Sequence, residues 1–342
     1  MPVPQRCCPE CFGDRGLRKS IIPSLTPSRG VCSFCGTFDV DLVEPRALGD
    51  YFELLTNIYQ PDPAGKLLVE WLKDDWQLFS HPRMDVHAAK ALLAEILNDG
   101  EIVRQPYSPS AAYISDELDS WAKLRDELMY RNRYFPEEPL HAARLTQLLD
   151  YLQADDLPLT WYRARIRMGS DMIPIAEMNA PPARLVSHGR ANPPGIPYLY
   201  LGSAPETAAA EIRPHTGEVA CVADFTIGGG VKVVDLRNPR QLVSPFLLAD
   251  EDEIGLLRVD IAFLEHLGDE LTRPVLPQGA AIDYVPSQYL CEFIKKCGYD
   301  GVIYRSSVSN GINLALFNPA KAVGGAVALY NITRVSVEVA LV

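Results

Sequence analysis

The sequence predicts an α+β fold, and three observations carry that prediction. The C-terminal part, residues 156–342, holds strand-like runs of alternating and β-branched residues: TWYRARI (160–166), YLYLG (198–202), VACVADFTI (219–227), VKVVDL (231–236), DGVIYRS (300–306), INLALF (312–317) and a terminal ALYNITRVSVEVALV (328–342). Helical patterns at about 204–213, 245–270 and 286–296 fall between them without the strict alternation of a doubly wound sheet. Two stretches of different composition come first, a cysteine-rich segment over 1–45 and a helical, acidic one over 46–155. Gly228-Gly229-Gly230, between two strand runs, predicts a hairpin; no helix follows it, and the chain has no GxGxxG or Walker pattern to make it a phosphate loop.

The 342 residues suffice for two to three domains of about 150 residues, each with its own core. Lys plus Arg is 32 and Asp plus Glu is 44, a formal charge of −12. So acidic a chain is a poor general binder of nucleic acid, whose affinity rests on phosphate neutralisation. Residues 46–155 alone carry eleven basic and nineteen acidic groups, net −8, whereas 1–45 balance at five and five. No apolar run approaches the roughly 18 residues of a membrane span, and the N-terminal MPVPQRCCPECFGDRG shows no apolar stretch behind its charge. A cytoplasmic protein is expected.

Five of the eight cysteines lie in the first 35 residues. They read as Cys8-x2-Cys11, twenty residues, then Cys32-x2-Cys35. In a reducing compartment this is a metal template rather than a disulfide framework. Each CxxC turn offers two thiolates from one side, and two such turns complete the tetrahedron that Zn²⁺ prefers. Cys8, Cys11, Cys32 and Cys35 are therefore the expected ligands of a closed, structural Zn²⁺ site. Cys7 is a spare neighbour able to replace Cys8. Cys221, Cys291 and Cys297 sit among apolar residues and are expected in the core.

In the middle segment Asp62-Pro63 reads as an N-cap with proline at the first helical position, followed by Leu67, Leu68, Trp71, Leu72 and Leu78 at helical spacing. A second helix spans 86–98, closed by Asn98-Asp99-Gly100; a third follows Ser115 as its cap; a fourth runs from about 138 to 153. Short connections make a bundle the expected arrangement. Arg83-x3-His87 and Arg133-x7-His141 lack the Arg, four to six residues, His spacing of a HEPN-type ribonuclease. A regulatory rather than RNA-cutting role is expected.

Three C-terminal segments carry the chemistry: SHGRANPPGIPYLYLGSAPETAAAEIRP (187–214), DYVPSQYLCEFIKKCGYDG (283–301) and IYRSSVSNGINLALFNP (303–319). Arg190, between Gly189 and a Pro-rich loop, suits a guanidinium that grips phosphate in a bidentate fork. Glu211 closes a run of small residues that lets a helix pack closely and aim a carboxylate into a cleft, where it can steady an oxocarbenium-like sugar. Ser306 and Ser307 offer hydroxyls, and Tyr200 a flat face for a base. Tyr284 and Gln288 flank a helix start, where an anion or a ribose can be met. The same residues also read as ordinary structure: an Arg190–Glu211 salt bridge, a strand-end hydroxyl at Ser306, a core tyrosine at 200, a capped packing helix around Gln288. His188 and His215 lie near these residues in sequence, and a surface or core role is expected for both.

The ordered set of segments resembles the RES domain family of toxin–antitoxin systems, over roughly residues 158–342. The match runs through Gly-Arg before Asn-Pro-Pro-Gly, Tyr-Leu-Tyr, Ala-Glu eleven residues after Tyr200, and Tyr-x-Ser-Ser before Asn-Leu-Ala-Leu-Phe-Asn-Pro. The resemblance implies that the family's Arg, Glu and Ser fall on Arg190, Glu211 and Ser306, and its pocket Tyr on Tyr200. It departs at Ala191, where many members carry an aromatic residue; Tyr162, Tyr198 or Tyr284 is left to supply the ring. It further implies an ADP-ribosyltransferase-like domain that binds NAD⁺ and breaks its nicotinamide–ribose bond, with inorganic phosphate as co-substrate, in a bacterial toxin. Transfer of ADP-ribose to a protein is the alternative, and a non-catalytic zinc-finger interaction protein is a second. The expected partners are NAD⁺, a helix-turn-helix antitoxin or another regulatory protein, and a second copy of the chain. The zinc-plus-helical N-terminus is similar to extensions on some family members and is expected to bind a partner or to restrain the catalytic domain. The expected organisation is thus a zinc module (1–45), a HEPN-like helical domain (46–155) and a RES domain (156–342).

Overall fold

A computed structural model describes residues 4–25 and 27–336. The chain forms two compact units: Met1–Leu118 with Pro239–Phe263, and Asp119–Asn238 with Leu264–Val342. These units do not follow consecutive segments of the sequence. Among the described residues no helix is long and apolar enough to cross a membrane.

The first unit begins with α1 (Pro9–Phe12), which has proline at its start and Gly13 at its left-handed end, and α2 (Ile22–Ser24). Strands β1 (Ser28–Gly30) and β2 (Val40–Leu42) pair antiparallel. Next come α3 (Gly49–Asn57), β3 (Tyr59–Leu67), α4 (Leu68–Trp76), α5 (Val86–Leu97) and β4 (Pro106–Pro109). Phe12 packs on Phe52 and Phe79, and Phe52 on Phe246, in one aromatic core.

Two expectations for this region are corrected. The helix assigned to Pro63 starts only at Leu68, because residues 59–67 pair with 106–109 across a bulge between Pro61 and Lys66. Asp62 does not cap a helix. It accepts from the Ala64 N–H (2.9 Å) and the Ser108 hydroxyl (2.7 Å), which ties β3 to β4. The helix is capped instead by Glu70, which accepts from the Leu67 N–H at 3.0 Å. The helices expected to form one bundle are not confined to one unit: α4 and α5 belong to the first unit, α6 (Glu117–Tyr130) spans the division, and α7 (Ala142–Tyr151) belongs to the second. The second and third helix signals agree with the fold, and the fourth helix begins at Ala142, capped by His141, rather than at about 138. Asp85 caps α5 through the Ala88 N–H, Asn98 ends it with φ 51°, and the Ser115 hydroxyl accepts from the Glu117 N–H.

Asp14 provides a pH-dependent element in this unit. One carboxylate oxygen accepts from the Leu17 N–H (2.8 Å) and the Ser244 hydroxyl (2.9 Å), yet burial pushes its pKa from 3.8 up to about 6. The native state therefore binds a proton that the unfolded chain has released, and stability falls as pH rises from about 4 to 6. Asp14→Asn keeps the accepting oxygen without the buried charge. It is expected to stabilise the unit at pH 7 by on the order of 2–3 kcal/mol, a gain that shrinks below pH 6 and disappears near pH 4 in thermal melts. A variant no more stable than wild type at pH 7 contradicts this.

The second unit holds a seven-stranded sheet of order β11-β7-β5-β6-β10-β9-β8. Its strands are β5 (Thr160–Ile166), β6 (Leu199–Gly202), β7 (Val219–Ile227), β8 (Val233–Asp235), β9 (Gly301–Arg305), β10 (Ile312–Leu316) and β11 (Ala322–Asn331). The last six residues of the terminal run, 337–342, lie outside the described residues. Helices α8 (Pro205–Glu211), α9 (Pro239–Leu242, in the first unit), α10 (Glu251–Thr272), α11 (Ala280–Asp283) and α12 (Val285–Lys296) complete the chain. Trp161, Leu199, Leu201, Cys221, Phe225 and Leu314 form the heart of the core. Cys291 is buried as well, whereas Cys297 is only half-buried, its sulfur 3.5 Å from the Thr146 hydroxyl.

The triglycine hairpin is not formed. The edge of β7 that a hairpin partner would take is held by β11, and β8 lies at the far edge of the sheet, parallel to β9. One feature of this sheet creates the cavity described below. β5 pairs with β7 along its whole length, but with β6 only at Tyr162–Gly202. Beyond that pair the two strands splay apart.

Candidate active site and candidate metal centre

A cavity of about 510 Å³ opens at the splay, lined by Tyr162 and Arg163 of β5, Tyr200 of β6, Glu211 of α8, and His188, Arg190, Tyr284, Tyr304, Ser307 and Asn313. Helix α8 reaches it because its small residues pack directly on the sheet. A Cβ on Gly202 would lie 2.7 Å from the Ala208 backbone nitrogen, and Ala208 joins Ala164, Ala220 and Val222 in a cluster of short side chains. This close approach carries Glu211, the last residue of α8, to the cavity wall.

The Glu211 carboxylate is oriented from one side. Its Oε1 accepts from the Ser306 hydroxyl at 2.7 Å and from the Asn313 amide at 2.6 Å. Ser306 Oγ in turn accepts from the N–H groups of Val308 (3.2 Å) and Ser309 (3.1 Å). With both acceptor positions filled, its proton points at Glu211. Ser306 thus acts on the carboxylate and is not itself among the cavity-lining residues.

Arg190 is held just as firmly. Its Nη1 donates to the Arg273 carbonyl at 2.8 Å, and its guanidinium stacks over the Tyr284 ring at 5.2 Å. Arg273 is anchored to buried Glu270 at 3.2 Å. The Ser287 hydroxyl donates to the Arg190 carbonyl at 2.5 Å, and the Gln288 amide to the Gly189 carbonyl at 2.8 Å. A Cβ on Gly189 would lie 2.4 Å from Asn192 Oδ1 and 2.6 Å from the Tyr200 hydroxyl, so glycine is required before the arginine. The Tyr200 hydroxyl accepts from the Ala191 N–H (2.9 Å) and donates to Asn192 (2.7 Å); burial pushes its pKa well up, so it stays neutral.

Arg190, Glu211, Tyr200, Tyr284 and Ser307 therefore meet in one cavity, with Ser306 behind the carboxylate. The expected alternative of an Arg190–Glu211 salt bridge is not observed, since each has other partners. Gln288 does not line the cavity; it is 8% exposed and fixes the loop that carries Arg190. His188 lines the cavity, whereas His215 does not. Of the three rings proposed to replace the aromatic at Ala191, Tyr162 and Tyr284 line the cavity, and Tyr284 covers Arg190. Tyr198 is buried against Phe317 at 4.8 Å.

Sequence reasoning missed Asn313, Asn192, Ser287 and Arg163. Asn313 had a signal, as the one polar residue inside the apolar INLALF run. Arg163 had a weaker one, as one of two cations in the run TWYRARI. Arginines 163, 190 and 213 line the cavity against a single carboxylate, Glu211, although the chain as a whole is acidic. Such a wall favours an anionic ligand.

The four paired cysteines form a second centre. Sulfurs of Cys8, Cys11, Cys32 and Cys35 all lie within 4.8 Å of one another, and all four residues are buried. Cys8–Cys35 is 3.4 Å, Cys11–Cys32 3.3 Å and Cys8–Cys11 3.9 Å. A tetrahedral site with Zn–S bonds of ~2.3 Å sets its sulfurs ~3.8 Å apart, so the donors fit the metal. Cys7 is excluded from the set. Its backbone pairs with Val43, and its sulfur points to the Val43 carbonyl at 3.8 Å. Crowding shifts the thiols in opposite directions: bonds from Cys11 and Cys8 lower Cys32, while the bond with Cys32 raises Cys11. A divalent cation would relieve this competition by taking all four as thiolates.

Residues 160–335 match the RES domain, just over half of the chain. The chain belongs to the RES domain family. Within the matched residues, Arg190 and Glu211 line the cavity, and Ser306 bonds the Glu211 carboxylate. Among solved structures, the chain is similar to one from the crystal structure of the M. tuberculosis MbcT–MbcA toxin–antitoxin complex, at 15% identity and a TM-score of 0.32, covering 55% of this chain and 92% of that one. No curated protein matches it.

Proposed function

We propose that this RES domain protein degrades NAD⁺ by phosphorolysis. The nicotinamide–ribose bond breaks, its electron pair leaves with neutral nicotinamide, and a phosphate oxygen bonds to the ribose C1″, giving ADP-ribose 1″-phosphate. The observation that supports this reading is the convergence of Arg190, Glu211, Tyr200 and Tyr284 on one cavity, with Ser306 and Asn313 fixing the carboxylate. Because the leaving group is neutral, no strong general acid is needed. The requirement is a preorganised negative charge for the ribose as it becomes cationic, which Glu211 supplies. Arg190 grips phosphate, Tyr200 and Tyr284 flank the bases, and Ser307 contacts ribose or phosphate.

Cys8, Cys11, Cys32 and Cys35 hold a structural Zn²⁺. Residues 1–45 and 46–155 act as regulatory modules on the catalytic residues 156–342. In the cytoplasm the protein is a toxin, with a helix-turn-helix antitoxin or another regulatory protein as its partner. Incubation with NAD⁺, with and without phosphate, followed by mass analysis tests the reading. Nicotinamide plus ADP-ribose 1″-phosphate, formed only with phosphate, is expected. Free ADP-ribose irrespective of phosphate, or ADP-ribose attached to protein, would assign another acceptor. Unaltered NAD⁺ would overturn the reading and favour a binding module.

A further inference from the structure

Behind Arg190, and not among the residues that line the cavity, lies a buried acid, Glu270. It sits in the last turn of α10, where burial and the negative end of the helix dipole both oppose a carboxylate. Three basic side chains face it. Arg125 of α6 donates through Nε to Oε1 at 2.6 Å, Arg273 Nε lies 3.2 Å from Oε2, and His266 Nε2 lies 4.0 Å from Oε1. The Arg273 contact is one of charge alone, since neither its Nε nor Oε2 has an aligned hydrogen-bond partner.

A staple between helices does not account for this acid. α6 already buries Trp121, Leu124 and Leu128, and α10 buries Leu264, Leu267 and Leu271. A staple would also need only Arg125. What Glu270 adds is a hold on Arg273, and Arg273 secures Arg190 from two sides. Its carbonyl accepts from Arg190 Nη1 at 2.8 Å. Its Nη2 donates to the Asp283 carbonyl at 2.8 Å, next to Tyr284, whose ring covers the Arg190 guanidinium. Arg125 precedes the matched RES domain, which begins at residue 160. All of these residues nevertheless belong to one compact unit.

We infer that Glu270 is a positioning residue for Arg190, acting through Arg273, and that Arg125 of α6 completes this support from outside the matched RES domain. The inference rests on the NAD⁺ reading for the reaction it affects and deepens the regulatory role of residues 46–155: α6 supports the site by holding its arginine.

The experiment uses the full chain as wild type, Glu270→Gln, Arg125→Met, Arg125→Lys, Arg190→Ala and the double variant Glu270→Gln/Arg190→Ala, with folding checked by circular dichroism and melting. Glu270→Gln keeps the shape and an accepting oxygen for Arg125 but loses the charge that holds Arg273. It is expected to raise KM for NAD⁺ and lower kcat together, as Arg190→Ala does, with a loss of about tenfold in kcat/KM. In the Arg190→Ala background it should cost nothing further, because residues that act through one group are not additive. Arg125→Met should show the same pattern, partly restored in Arg125→Lys; it decides the matter if Glu270→Gln does not fold. Folded variants with wild-type kcat/KM, or losses that multiply with that of Arg190→Ala, would make the network a staple and overturn the inference.

A second arm needs no substrate. Phenylglyoxal, which modifies accessible guanidinium groups, is followed at Arg190 and at Arg163 by peptide mass spectrometry. In Glu270→Gln and Arg125→Met, Arg190 is expected to react several-fold faster than in wild type, and Arg163, in the same cavity, at an unchanged rate. An unchanged rate at Arg190, or equal acceleration at both arginines, would overturn the positioning role. If wild type ignores NAD⁺ but Arg190 alone is released, the positioning role stands and the NAD⁺ reading falls. If wild type consumes NAD⁺ and neither kinetics nor Arg190 reactivity moves, the NAD⁺ reading stands and the network is a staple.

Discussion

Replacing Glu211 by glutamine is expected to lower NAD⁺ turnover about a hundred-fold or more while leaving NAD⁺ affinity nearly unchanged. Glutamine keeps the carbonyl oxygen that Ser306 and Asn313 contact, so the side chain stays oriented. Only the charge is lost, and charge matters most where the ribose becomes cationic, in the transition state rather than the ground state. Arg190→Ala differs in kind, since a phosphate grip also holds the ground state, and binding and turnover should fall together. Initial rates beside equilibrium binding separate the two patterns. In cells, wild type should deplete NAD⁺ and stop growth, whereas Glu211→Gln should not. A folded Glu211→Gln protein that turns over NAD⁺ at the wild-type rate would show that this carboxylate does not carry the reaction.

The other large effect concerns the metal. Protein purified without chelator is expected to carry about one zinc per chain, and its removal should unfold the cysteine segment first. Residues 4–44 have little to replace it: α1 and α2 are four and three residues long, and β1 and β2 three each. Structural zinc in such small modules contributes on the order of 10 kcal/mol to folding. Cys11→Ser, which removes one buried ligand, should lose the metal, whereas Cys7→Ser should keep it, since Cys7 faces Val43. Metal analysis and amide hydrogen exchange across this segment measure both. A metal-free wild type, or a Cys11→Ser protein with full zinc and unchanged exchange, would contradict the assignment.

The strands show how far local pattern reaches. Thr160–Ile166 and Val219–Ile227 occur with the predicted bounds because alternation is a local property of a half-buried strand. Partner choice is not local. The triglycine between β7 and β8 looked like a turn joining neighbours, yet the free edge of β7 is filled from residues 322–331, nearly a hundred residues further on. Pro63 failed as a helix start for the same reason, because a strand at 106–109 captures residues 59–67.

The sequence by itself determined the chemistry available: two CxxC pairs at metal spacing, and Arg190, Glu211 and Ser306 in segments that resemble those of the RES family. Residue type and spacing along the chain are enough for that. Only the tertiary structure decided how these groups act. Backbone pairing of Cys7 with Val43 left Cys8 as the member of the four-sulfur cluster, and the splay of β5 from β6 made the cavity. The Ser306 hydroxyl, which could equally have contacted a substrate, was turned onto Glu211 by the N–H groups of Val308 and Ser309. Asn313 and Arg163 joined the site because strand pairing across the sheet brought them there, and the charge and hydrogen-bond balance of a cavity depends on neighbours that no local segment specifies.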